Sequence, residues 1–182
     1  MSTKACSISI PILCVFIFYK TETSVQNIVL ICCFLYIVAV SRIFSHALFH
    51  KGPWHLAVTI IPIILLGTQI ERELGSILFS LVLISCWLIS TLMEVAMTTL
   101  LYHVAHDLFH VCSLGLSGVE FGLMALVTNF LKSDKCSLGC CCLPYNVVPW
   151  GCLFLYYAAF HRGSIFMHIG GLAAGYARIF IF

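Results

Sequence analysis

The chain of 182 residues is 62% hydrophobic and 9% charged, with a mean hydropathy of +1.08 and a net charge of +2. Soluble globular domains carry about a quarter charged residues, so this composition excludes an ordinary soluble fold and points to an integral membrane protein. The small net charge and the lack of any basic run exclude a nucleic-acid surface.

Charges divide the chain into apolar segments. Residues 5–19, between Lys4 and Lys20, would reach about 22 Å as a helix, short of a ~30 Å hydrocarbon core. Residues 23–41 are uncharged and long enough to cross. Residues 52–70 follow, interrupted by His55 and ending at "ERELGS". The remaining segments are 74–93, 113–131, 147–160 and 164 to the end. The expected fold is an all-α polytopic membrane bundle of six transmembrane helices, or seven if both of the first two segments cross. No small-x-small cleavage site follows in "FIFYKTETS", so the first segment reads as a retained span or anchor. Loops are short and nothing repeats, so residues 1–182 read as one transmembrane domain.

If the loop at Glu71 to Gly75 is cytosolic, that side holds Lys4, Arg72, Lys132, Lys135 and Arg178, against Lys20, Arg42, Lys51 and Arg162 opposite. This balance gives no orientation. Most of the eleven cysteines lie in apolar runs, where cysteine behaves as a small hydrophobe. The Cys136 to Cys142 cluster in "CSLGCCCL" falls in a loop and reads as palmitoylated, metal-binding or unmodified thiols. "HVAHDLFH" places His103, His106 and His110 at i, i+3 and i+7 beside Asp107, an interfacial helix or a metal site. Glu94 is expected near a helix end, reaching the interface.

Ionisable groups inside a bilayer cost at least ~2.5–3.5 kcal/mol each at mid-depth, so each one calls for a function. Ser117 lies in "GLSGVEFG", where Gly115, Gly118, Gly122 and Ala125 follow i, i+3, i+7, i+10 spacing and make a smooth stripe. It stands near a helix start, where backbone N–H groups are free. The alternative is a small residue easing helix contact. In "HIGGLAAGY", His168 shares a face with Gly171 and Gly175. Two matched glycine faces would bring imidazole to hydroxyl, and serine needs such a base to become a nucleophile. The alternative is a lone histidine hydrogen-bonded within the bundle. Third, "SHALFHKGPWHLAVT" places His55 and Thr59 on one helix face, with His46 and His50 upstream. These two could donate to an oxyanion, each such donor contributing ~2.7–4 kcal/mol. Metal binding by the three histidines is the competing reading, though the set lacks a carboxylate.

Together these segments resemble the rhomboid family of intramembrane serine proteases. The family pattern H-x(3)-H-x(4)-H-x(3)-N is filled by His46, His50, His55 and Thr59; E-R-x-L-G-S by Glu71 to Ser76; G-x-S-G-x-x-x-G by "GLSGVEFG"; and H-x-x-G-x-x-x-G by "HIGGLAAGY". The four motifs run in order over residues 46–175, and "RIFSHALFHKGPWHL" and "CSLGLSG" look most like the eukaryotic secretory-pathway subgroup. The resemblance implies a six-helix bundle with a Ser117–His168 dyad in a water-filled cavity, lacking a third acid. His55, Thr59 and the Ser117 N–H would serve the oxyanion. His50, Glu71, Arg72, Gly75, Gly118, Gly171 and Gly175 would be supporting. Substrates would be transmembrane segments of membrane-anchored proteins in the lipid bilayer, at the endoplasmic reticulum or another endomembrane, with no cofactor and no metal.

Three departures qualify this. Thr59 replaces the family's oxyanion asparagine with a shorter donor. Glu120 stands where the family is usually apolar. Residues 20–45, expected as a first loop, read more like a span over 26–40, where only Gln26 and Asn27 are polar. The alternative function is therefore a catalytically silent rhomboid-like protein that binds transmembrane clients and steers their trafficking or degradation. A small transporter would explain the buried polar groups but not the motif order.

Overall fold

The computed structural model describes residues 5–21, 46–50, 52–101, 114–130, 136–138, 141–159 and 164–177. The 23–41 segment, the His103 to His110 series and the cysteine side chains at 136–142 lie outside these, as does the choice between six and seven helices.

Helix α1 is Ala5–Thr21, and a 3-10 turn follows at His46–Leu48. The helical tract Pro53–Leu101 turns at Gly75 (φ 77°, ψ 161°) and so comprises two helices, α2 over 53–74 and α3 over 76–101. Helix α4 is Ser117–Phe130, α5 is Val148–Ala159 and α6 is Ile165–Ala177. Between α4 and α5 the chain forms a small antiparallel hairpin, β1 (Cys136–Leu138) with β2 (Cys141–Leu143), where a plain loop was expected. The fold class is all-α. Uncharged runs form helices because an apolar solvent leaves the backbone no other hydrogen-bond partner. Their hydroxyls fold back in the same way: Thr68 donates to the Leu65 carbonyl, Ser80 to Ser76 and Thr91 to Trp87. The tract Pro53–Leu101 is long and apolar enough to cross a membrane.

The turn at Gly75 explains "ERELGS". A backbone with that φ and ψ is open essentially only to glycine. Across it, Glu71 accepts the Ser76 hydroxyl at 2.7 Å with one oxygen and the Ser7 N–H at 3.0 Å with the other. Ser7 lies in the first turn of α1, where N–H groups lack intrahelical acceptors and negative charge is favoured. One fully buried carboxylate thus ties α1, α2 and α3 together. Arg72, its neighbour, is exposed.

Ile63, Phe79, Leu83, Cys86, Val119 and Leu123 fill the space among α1 to α4. Phe121, Ala125, Leu153, Tyr156 and Leu172 join α4, α5 and α6. The outside is apolar as well: Trp54, Ile77, Leu100 and Phe154 are among many exposed large side chains, as expected where the surroundings are lipid. α4 and α6 meet backbone to backbone. A methyl group on Gly171 would overlap the Gly118 carbonyl, and one on Gly175 the Gly122 carbonyl. In lipid such close approach is what drives helices together, since apolar burial gains nothing there.

Gly115 is not part of this seam. It precedes α4 in a left-handed conformation (φ 93°) and its N–H donates to the His46 carbonyl at 2.9 Å. The stripe therefore begins at Gly118, because the helix does not start until Ser117.

Candidate active site

Ser117 opens α4 and His168 lies in the first turn of α6; both are 1% exposed. The glycine seam sets the distance between the helices, and Ser117 Oγ lies 2.8 Å from His168 Nε2, across 51 residues of sequence. That is hydrogen-bond range for a nucleophile and its base. The imidazole packs against Phe121, whose ring centre is 4.9 Å away, and Tyr156, at 4.8 Å. Its other nitrogen, Nδ1, lies 3.0 Å from the Tyr157 hydroxyl.

α6 is fixed at its start by Glu94 on α3. The Glu94 carboxylate accepts the Met167 N–H at 3.1 Å and the Ser164 hydroxyl. Glu94 is half-buried toward the end of α3, where the N–H groups opening α6 offer it partners that lipid cannot. On the far side Gly118 leaves no room for a side chain, since a methyl there would stand 2.6 Å from Ser90 Oγ.

The histidine segment approaches from the other direction. His50 is buried, and its ring centre lies 5.5 Å from that of His55. Both rings press on the loop that leads into Ser117: a methyl on Gly115 would stand 3.0 Å from His55 Cε1 and 3.1 Å from His50 Nε2. His55 Nε2 is 3.1 Å from the Tyr156 hydroxyl. Among the described residues no group of three or more metal-ligating side chains converges.

Two expected residues sit differently. Thr59 is fully buried, but its hydroxyl donates to the His55 carbonyl one turn back, at 2.9 Å, rather than toward Ser117. Its single donor is therefore taken by its own helix. Glu120 is buried on α4, close to Cys152 and Tyr156 of α5, and its Oε2 has no hydrogen-bond partner. Sequence reasoning missed Tyr156, Tyr157 and the role of Glu94, three groups that hold the two histidines and the helix carrying one of them. Adjacent tyrosines in an apolar segment look like core, and only the two imidazoles opposite distinguish them.

Comparison with known proteins places the chain in a family. The chain is 21% identical over 144 residues to "Rhomboid-like protein 15" from Arabidopsis thaliana, a match that covers 76% of the chain and 36% of that relative. The chain thus spans about a third of the relative's length. The family model for the rhomboid domain matches residues 38–182, which takes in every motif described above and four-fifths of the sequence, and the chain belongs to the rhomboid family.

Proposed function

We propose that the chain is an intramembrane serine endopeptidase that cleaves transmembrane segments of membrane-anchored proteins. The observation that carries this reading is the 2.8 Å approach of Ser117 Oγ to His168 Nε2 in a buried setting. Ser117 attacks the scissile carbonyl as His168 takes its proton, and the imidazolium returns that proton to the leaving amine. Water then hydrolyses the acyl-enzyme with His168 again as base. The Ser117 N–H, in the first turn of α4, and the His55 imidazole are the oxyanion donors; His55 gives up its Tyr156 contact to reach substrate. The helices cross the bilayer several times, in the endoplasmic reticulum or another endomembrane, and the chemistry needs no cofactor.

A second reading, a silent member of the family that binds transmembrane clients, is favoured by one observation: the Thr59 hydroxyl is committed to the His55 carbonyl. The two readings part on a single experiment. A fluorophosphonate probe applied to the detergent-solubilised protein is expected to label the wild type and to leave Ser117→Ala unlabelled. A folded wild type that takes no label supports the client-binding reading instead.

A further inference from the structure

Soluble serine proteases orient their histidine with a carboxylate on the nitrogen away from serine. In this chain that nitrogen, His168 Nδ1, faces the Tyr157 hydroxyl at 3.0 Å. A phenol oxygen both donates and accepts, so the contact alone leaves the tautomer undecided. The partner on Nε2 decides it. Nε2 faces the Ser117 hydroxyl, which becomes a nucleophile only if Nε2 carries no hydrogen. With Nε2 open, the ring's one hydrogen sits on Nδ1 and the phenol oxygen accepts it.

We infer that Tyr157 is the positioning residue for His168: its oxygen accepts the Nδ1 hydrogen and keeps Nε2 open to the serine proton. No proton leaves Tyr157 in the cycle. One proton moves from Ser117 Oγ to His168 Nε2 and on to the leaving amine, while the phenol oxygen stabilises the imidazolium between those transfers. A phenol holds less negative charge than a carboxylate, so its effect is smaller than that of the acid in a soluble triad, where losing the correct tautomer costs about 10⁴ in rate. The inference rests on the protease reading, and its test separates the two.

Tyr157→Phe keeps the ring that packs on His168 (centres 5.6 Å apart) and removes only the oxygen. Cleavage of a model transmembrane substrate in proteoliposomes is expected to show kcat lower by about 10- to 100-fold with KM unchanged, the range seen when groups that orient metal-bound histidines through their second nitrogen are removed. Fluorophosphonate labelling of Ser117 should slow in parallel, and the thermal midpoint should stay in place. Tyr176→Phe, which loses hydroxyl bonds to the Asn146 carbonyl and the Thr128 and Trp150 side chains but none to His168, should keep wild-type rates. A second readout needs no turnover: with ¹⁵N-labelled imidazole, Nδ1 of His168 carries the hydrogen in the wild type, and in Tyr157→Phe the hydrogen is shared between both nitrogens. Undiminished kcat in Tyr157→Phe, or a wild-type hydrogen on Nε2, overturns the inference. If the wild type neither labels nor cleaves, the protease reading falls, and the ¹⁵N readout still decides whether Tyr157 sets the tautomer.

Discussion

Thr59 shows how one rotamer decides a residue's use. A threonine has a single hydroxyl hydrogen, and on a helix in apolar surroundings the carbonyl one turn back is its nearest acceptor. At Thr59 that acceptor is His55, at 2.9 Å. The hydroxyl is then no donor to an oxyanion, although the residue stands one turn after His55 on the same helix. Thr59→Val, close in shape and lacking the hydroxyl, is therefore expected to change the rate of Ser117 labelling by less than about twofold. Loss of a true oxyanion donor would slow it by about 10²–10³, and a drop of that size would return Thr59 to the oxyanion site. Spacing alone did not reveal this. Residues i and i+4 share a face, but the hydroxyl's direction depends on χ1, which the pattern leaves open.

At the scale of helices, the two glycine-bearing segments were legible because small residues at i and i+4 leave a flat surface whatever the surroundings. Gly118 and Gly122 of α4 face Gly171 and Gly175 of α6, as the paired patterns suggest. What joins them at the site is less visible: the cap from Glu94 to Met167 spans 73 residues, and no local periodicity announces a contact between a carboxylate and another helix's first turn. Gly115 was misplaced for a related reason, since a stripe of small residues does not say where its helix begins. The seam itself makes a strong prediction. In Gly171→Ala the added methyl meets the Gly118 carbonyl, a backbone atom that no rotamer change can move aside. Destabilisation should reach at least about 3 kcal/mol, the upper part of the range for overpacking. Because Gly171 and His168 share α6, labelling at Ser117 should be lost together with the thermal midpoint. A variant that melts like wild type yet fails to label would mean that the seam positions the dyad without holding the bundle together.

For the whole molecule, pH acts on stability through His50, which lies in the loop ahead of α2 and joins that loop to the approach to Ser117. Burial, followed by the nearby His55, pushes its pKa down to about 4 from 6.5. Folded His50 is therefore neutral where the opened chain already binds a proton. Between pH 6.5 and 4 the opened state holds more protons, so stability falls as pH falls; above about pH 7 both states are neutral and the effect vanishes. Thermal midpoints of the detergent-solubilised protein should be level from pH 8 to 7 and decline from 6.5 toward 4. His50→Asn, which cannot titrate there, should lower the midpoint at pH 8 and flatten the decline. Buried Glu71 is common to both proteins, and because half-buried His55 acts on His50, the difference in slope reports the His50–His55 pair. If wild type and variant decline with the same slope, His50 is protonated in the folded bundle at no cost and the acid sensitivity arises elsewhere.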